Sequence, residues 1–592
     1  MKKSNYDKFP NVRINGHKCY SGWESITECL RSAADKIYHE RIVFVIECYH
    51  GVYAGEIVTN FTNNFPAAIL IDAASAMCSV SEIDKLVYPF VTDDPVFGCM
   101  TSLNLIDFFD GRKISDLQNR ISNVEKGIVI VYGPGASVIA TRPDLLVYAD
   151  MPRWEIQQRF RNDAVANLGS DNESAEFSYQ YKRSFFVDWR VCDRQKKALM
   201  DNWDYILDTT IREQPKMISA IALKDALAEV VSRPFRVVPF FDPGPWGGQW
   251  LKEVCDLDRE QQNFAWGFDC VPEENSLLFS FGETLFETPA INVVFAEPEK
   301  LLGRKVFDAF GTEFPIRFDF LDTMDGGNLS LQVHPLKKYI REKFGMAYTQ
   351  DESYYILDAK EGAFVYLGLK EKIIPGLMLH ELEAAQVDGG DFDAGKFVET
   401  WPVKKHDHIL IPAGTIHCSG ANTVVLEISA TPYIFTFKLW DWGRMGLDGT
   451  PRPISIDRGK EVIQWDRTAS WTGDNIINQF EIISEGDGWL EEKTGLDKTS
   501  FIETRRHWFS KKVVHDTNGM LNVLNLIEGR EAIIESPGNL FQPFIIHYAE
   551  TFIVPAAARE YTIRPYGESE GEQCATIKAY VRTGHLIDYR IN

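Results

Sequence analysis

Apolar and polar positions alternate strictly from Leu329 to His334, with Leu329, Leu331 and Val333 on one side and Ser330, Gln332 and His334 on the other. That period of two predicts a half-buried strand, with Gln332 and His334 about 7 Å apart along one face. A charged stretch follows and predicts a short helix. A second strand-like run starts at Glu352 and sets Tyr354 and Ile356 on the same face as that carboxylate. A third apolar run, from His408 to Ile411, enters a Pro-Ala-Gly turn and leaves with His417. The three segments bring forward Gln332, His334, Glu352 and His417. Two imidazoles, a carboxylate and an amide oxygen form a donor set suited to an open divalent-metal site.

The first 230 residues have another texture. Apolar runs at Ile42–Glu47, Ala67–Ile71, Gly127–Tyr132 and Leu145–Ala149 alternate with helical stretches, which predicts an α/β unit with a mostly parallel sheet. The run into Cys48-Tyr-His-Gly51-Val-Tyr-Ala-Gly55-Glu56-Ile57 lies where a phosphate-binding loop joins a first strand to its helix. A catalytic loop of that kind places a lysine and then a hydroxyl after its last glycine. Glu56 and Ile57 stand there instead, and a carboxylate repels a nucleotide phosphate. Residues 127–163 resemble the second half of uridine-kinase-like P-loop proteins, which implies a degenerate kinase-like domain with a regulatory or structural role. Tyr132-Gly-Pro-Gly135 reads as a tight turn. Arg153, Arg159, Arg161, Lys182 and Arg183 read as a solvated basic face.

With 592 residues the chain is too long for one core. Thr210–Val231 reads as a charged helical segment, and from Ser232 short β-type runs are punctuated by proline and glycine. The expected organisation is therefore multidomain: an α/β domain over residues 1–231, a β-rich metal-binding domain over 232–454 and a second β domain without a metal site over 455–592, with both β domains of the jelly-roll type. His547 and Glu550, in the last of these, read as structural residues. His406 and His408 read as exposed or packed side chains, not ligands.

The formal net charge of −23 argues against a nucleic-acid partner or an anionic membrane surface. The lysines near the start precede no apolar run and no stretch approaches a membrane span, so a cytoplasmic protein is expected. Ten cysteines scattered without a CxxC pair read as reduced core residues.

The strings LSLQVHP, DESYYIL and IPAGTIH, in this order, resemble the metal-binding strands of the type I phosphomannose isomerases, a zinc-dependent cupin family. The resemblance implies one Zn²⁺ held by Gln332, His334, Glu352 and His417. Residues 406–422 approximate the second cupin motif, although His406 replaces its usual glycine and Asn422 comes one residue late. Trp246-Gly-Gly near the start of the β-rich region is a further shared feature. The family also carries a glutamate at the end of an apolar strand, followed by an arginine-bearing segment. By that match Glu427 is the acid/base candidate, and Lys438 and Arg444 are the catalytic and substrate-binding cations. Arg317, on the approach to the ligand strand, is a further substrate-binding candidate.

The departures concern the cations. Lys438 takes the place of the segment's first arginine, Gln350 the place of a lysine two before the ligand glutamate, and Arg317 the place of a lysine. Arginine and lysine are not equivalent at phosphate or proton-transfer sites. The resemblance implies interconversion of mannose 6-phosphate and fructose 6-phosphate through an enediol, with a small sugar phosphate as partner. A non-catalytic phosphosugar-binding cupin with a regulatory kinase-like domain, and a metal-dependent cupin oxygenase, are the alternatives.

Overall fold

The computed structural model describes residues 3–388, 390–430, 434–446, 449, 452–495, 500–582, 584 and 589. The chain divides into two compact units, and neither is continuous in sequence. One comprises Asn11–Glu229 and Ser276–Ala296, the other Met1–Pro10, Val230–Asn275 and Glu297–Ile591.

The first unit is built on β1 (Arg41–Cys48), β2 (Ile69–Asp72), β3 (Gly127–Gly133), β4 (Leu145–Asp150), β5 (Tyr205–Asp208) and β6 (Lys216–Ser219). These lie in the order β6-β5-β4-β1-β3-β2, and a short strand, Tyr20–Ser21, closes the edge beside β6. β1 to β5 are parallel and β6 is antiparallel. Phe44, Ile46, Ile130, Val147 and Leu207 pack against Ile26, Leu30, Ile57 and Phe61 of the covering helices. Apolar strands between helices are what a sheet covered on its faces requires.

Three expectations change here. The segment read as one helix from Thr210 to Val231 contains β6 before its helix Ala220–Val230; pairing of Lys216–Ser219 with β5 overrides local helical propensity. Of the five basic residues read as a solvated face, Arg153, Arg159, Lys182 and Arg183 are buried and Arg161 alone is exposed. Arg153 is buried against Asp193, Lys182 donates to the Asp94 carbonyl at 2.5 Å, and Arg183 to that of Leu168 at 2.7 Å. Residues 276–296, read as part of the metal-binding domain, join this unit, with Ser276–Phe281 paired in parallel with Asn11–Arg13.

The second unit holds two successive two-sheet sandwiches. The strands of the first are β7 (Phe240–Asp242), β8 (Trp266–Cys270), β9 (Ile316–Asp322), β10 (Leu331–Val333), β11 (Glu352–Ala359), β12 (Phe364–Leu369), β13 (Val398–Pro402), β14 (His408–Ile411), β15 (His417–Ser419), β16 (Thr423–Ala430) and β17 (Phe437–Trp440). One sheet has the order β14-β11-β16-β9-β8-β7, the other β13-β12-β15-β10-β17. Helices Lys337–Phe344 and Pro375–Asp388 interrupt the strands. Gly247 and Gly248, after the buried Trp246, pass against Asn263 and Asp322 so closely that a Cβ would overlap both.

The second sandwich comprises β18 (Glu481–Gly486), β19 (Trp489–Lys493), β20 (Ile502–Phe509), β21 (Val513–Asp516), β22 (Asn522–Glu528), β23 (Glu531–Glu535), β24 (Phe544–His547), β25 (Thr551–Val554), β26 (Glu560–Pro565) and β27 (Cys574–Val581). Its sheets run β18-β19-β20-β27-β22-β25 and β21-β26-β23-β24. Phe509, Leu524 and Leu526 of one meet Ile534, Ile546 and Ile563 of the other. Among the described residues no helix is long and apolar enough to cross a membrane.

Candidate metal centre

The strand register assembles the first sandwich's polar core. In an antiparallel pair, residues directly opposite each other point to one face. Gln332 on β10 is opposite His417 on β15 and opposite Lys438 on β17, so Lys438, Gln332 and His417 form one row. On the facing sheet Glu352 is opposite Ser429, and Arg317 is opposite the same serine. The next row holds Tyr354, Glu427 and Asp319. The two sheets thus present these rows to each other.

His334, Glu352 and His417 meet between the sheets. His334 Nε2 lies 3.0 Å from one Glu352 oxygen and His417 Nε2 2.9 Å from the other. Among the described residues this is the one group of three metal-competent side chains with mutually close ligand atoms, and all three are buried. Each imidazole is oriented from behind, with His334 Nδ1 3.2 Å from the Phe435 carbonyl and His417 Nδ1 2.9 Å from that of Thr415. A carbonyl only accepts, so Nδ1 carries the proton and the Nε2 lone pair faces the carboxylate. This is the outer-shell arrangement that fixes metal-ligating histidines. Gln332 Nε2 lies 3.2 Å from His417 Nε2, and turning the amide over presents its oxygen to the same point. The donor set therefore fits a divalent transition metal such as zinc.

The turn before His417 depends on one glycine. Gly414 has φ +89°, and its N–H donates to the His334 carbonyl at 3.0 Å. A Cβ there would press on Gln464, Leu336 and the Val462 carbonyl. Glycine at this place lets the turn carrying one histidine dock on the strand carrying the other.

Charge in the core is unevenly shared. Burial would raise the Glu352 carboxyl, but positive charge on the facing imidazoles, when they carry a second proton at Nε2, outweighs it and holds the group well below the carboxylate range; a metal ion would take the place of that proton. Burial, reinforced by Asp319 and Glu352, pushes Glu427 well above it. Asp319 is raised to about 6 by burial, against the pull of Arg317, which donates to it at 2.9 Å. Burial, with Arg452 adding to it, lowers Lys438 to about 8. Lys438 forms no side-chain hydrogen bond or ion pair with a described residue. Arg444 is differently placed, donating to the Asn328 carbonyl at 2.6 Å and to Asp441 at 2.5 Å.

Lys438, Glu427 and Arg317 thus share the core with the four metal-site candidates, whereas the Arg444 guanidinium is held on the neighbouring loop. Asp319, Tyr354 and Arg452 were not singled out by the sequence. Asp319 had a signal, since Arg317-Phe-Asp319-Phe alternates as a strand with charges on one face. Arg452 had none; it reaches Asp441 at 2.7 Å from beyond β17. His408 is fully buried against Tyr355, outside the cluster, and burial lowers it to about 3. His547 and Glu550 pair with each other at 3.0 Å, and Glu550 with Arg236 at 2.7 Å.

In the first unit, the Glu56 carboxylate accepts from Trp23 Nε1 at 2.9 Å and from the Glu213 N–H at 3.0 Å.

Residues 22–232 match a family described as a domain of unknown function, DUF8485. A mannose-6-phosphate isomerase of Streptococcus mutans is 26% identical over 229 residues, 38% of this chain and 66% of the relative. A mannose-6-phosphate isomerase of Bacillus subtilis is 22% identical over 240 residues, 40% of this chain and 69% of the relative. Among solved structures, the mannose 6-phosphate isomerase of Bacillus subtilis aligns with a TM-score of 0.48 at 17% identity, over 59% of this chain and all of that one. The chain is therefore similar, over part of its length, to proteins named as mannose-6-phosphate isomerases.

Proposed function

We propose that this protein is a zinc-dependent aldose–ketose isomerase that interconverts mannose 6-phosphate and fructose 6-phosphate. The observation that carries this reading is the buried His334–Glu352–His417 cluster, with Gln332 and Lys438 in one row beside it. Relatives bearing that activity in their names support it.

The reaction moves a proton between C2 and C1 through an enediol, and the carbonyl passes from one carbon to the other without an external oxidant. Zinc, when bound, supplies polarisation of the carbonyl oxygen. Gln332, His334, Glu352 and His417 are the residues that would hold it. Glu427, which burial and the neighbouring Asp319 and Glu352 bias toward its protonated form, is our candidate for exchanging a proton with the sugar carbons. Lys438 offers an uncommitted ammonium for the phosphate or the enediolate. Arg317 keeps Asp319 in place beside Glu427. Gln332 and His417 are buried between the sheets, where a lower dielectric strengthens such interactions, while Lys438 is partly exposed.

Residues 1–231 we read as a degenerate kinase-like domain with a structural or regulatory role. The parallel sheet and the engagement of Glu56 within the fold support that reading. Binding of a phosphosugar without turnover is the second reading for the metal-site domain, favoured by Gln350 and Lys438 standing where the resembled family has lysine and arginine.

The test is metal analysis of the purified protein with a coupled assay for fructose 6-phosphate, repeated on His417→Ala. Stoichiometric zinc with turnover, both lost in the variant, is the expected result. Zinc with no turnover on mannose 6-phosphate would overturn the isomerase reading in favour of binding alone.

A further inference from the structure

Gln350 is 3% exposed and lies just before β11, two residues from Glu352. Its side-chain nitrogen donates to Glu352 Oε2 at 2.8 Å and, more weakly, to Glu427 Oε1 at 3.4 Å. Both acceptors are carboxylate oxygens, so the orientation of the amide follows from chemistry, because only its nitrogen end can donate to them. The carbonyl oxygen, Oε1, is then a buried acceptor that meets no protein donor among the described residues.

A buried acceptor left without a donor costs roughly 1–3 kcal/mol, and each one in a native fold calls for a reason. Here the oxygen is bonded to the same carbon as the nitrogen that touches Glu352 and Glu427. The oxygen therefore lies at the edge of the same polar cluster, turned away from the nitrogen that ties the two carboxyl groups. Glu352 offers only acceptors, and no protein donor among the described residues meets the oxygen. A sugar presents hydroxyl groups, which are donors.

We propose that Gln350 is a substrate-binding residue whose side-chain carbonyl accepts a hydrogen bond from a sugar hydroxyl beside the metal site, while its N–H₂ ties Glu352 to Glu427. A neutral amide does this without adding charge to a core that already holds three carboxyl groups, Asp319, Glu352 and Glu427. A lysine at the same place would supply only donors and would leave that hydroxyl unmatched. The inference rests on the isomerase reading for the identity of the sugar, but not for the contact itself.

The experiment separates the two. Zinc-loaded wild type, Gln350→Met and Gln350→Glu are compared by titration calorimetry with D-mannitol 1-phosphate, an open-chain polyol phosphate that cannot be isomerised, and by turnover of mannose 6-phosphate. Thermal melting and metal content check that each variant folds and keeps its zinc. Gln350→Met should bind the polyol phosphate about tenfold more weakly and raise KM to a similar degree, with zinc retained. Gln350→Glu, which keeps an acceptor and loses the donor, should bind it more tightly than Gln350→Met does. Equal binding by wild type and Gln350→Met would overturn the proposal. So would failure of the zinc-loaded wild type to bind the polyol phosphate. Binding that follows the predicted order without any turnover would uphold the contact and overturn the isomerase reading alone.

Discussion

The two sandwiches of the second unit each bury a pair of histidines between their sheets, and the pairs are chemically opposite. In the first, the imidazoles face one carboxylate, with their far nitrogens held by backbone carbonyls. In the second, His507 on β20 and His515 on β21 stand with ring centroids 4.4 Å apart, His515 stacks on Tyr561, and Lys578 Nζ lies 3.4 Å from His515 Nδ1. Glu491 approaches His507 at 3.3 Å from the sheet margin. An ammonium beside an imidazole repels a metal ion as well as a proton. Burial, with Lys578 and Arg505 adding to it, drives His507 down to about 4 despite Glu491, while burial, His507 and Lys578 drive His515 well below its usual value. Burial lowers Lys578 itself to about 8. Similar architecture thus gives a candidate cation site in one place and a pair of uncharged imidazoles beside a lysine in the other, and the partner set of the imidazoles makes the difference.

Replacing a ligand should break the contrast most sharply. Removing an outer-shell partner of a zinc histidine typically costs roughly 10–100-fold in metal affinity, and loss of the ligand itself should exceed that. His417→Ala is expected to empty the site, measured as zinc per chain after dialysis. The corresponding change in the second sandwich, His515→Phe, is expected to leave zinc content as in the wild type.

Glu427→Gln addresses chemistry without touching the ligand set. General acid–base catalysis contributes about 10²–10⁴-fold, so turnover of mannose 6-phosphate should fall within that range while zinc is retained. A variant with turnover near the wild-type level would remove Glu427 from its role.

Acid should distinguish the sandwiches through stability. The folded-state value of His507 lies below the unfolded value, so its contribution is fully present above about pH 6.5 and is lost as pH falls toward about 4. From pH 7 to pH 5 the loss is on the order of 2 kcal/mol for this group alone. Urea unfolding of wild type and His507→Leu at both pH values should show a smaller loss in the variant. The groups facing His507 and His515, namely Glu491, Arg505, Tyr561 and Lys578, remain in both proteins. The smallest expected effect is on activity: His515→Phe should leave turnover at neutral pH within about twofold of wild type, since additivity holds for sites without shared partners.

Much of this was legible in residue order. The alternation through Leu329–His334 and the Pro-Ala-Gly turn before His417 located two strands and a glycine turn, because two chemically different faces and a positive φ leave direct marks on sequence; the expected half-buried strand is in fact buried on both faces, its polar side lining the space between the sheets. The runs that became β1, β3 and β4 were equally plain, because a sheet covered on its faces tolerates little but apolar residues. The sequence also nominated Gln332, His334, Glu352 and His417, residues whose chemistry is rare in strand interiors without a purpose.

Tertiary structure decided the rest. Arg153, Lys182 and Arg183 are charged letters in a helical pattern, and only packing turned that pattern inward, toward Asp193 and backbone carbonyls. Residues 276–296 follow the strand Asn11–Arg13 into the first unit, a long-range pairing that no local period encodes. Lys438 and Arg444 sit in one short segment, yet strand register placed the first in the row with Gln332 and His417 and left the second on Asp441. Register between strands depends on which sheets close on each other. A side chain's partners, and so its charge state, follow from that closure and not from its neighbours in the chain.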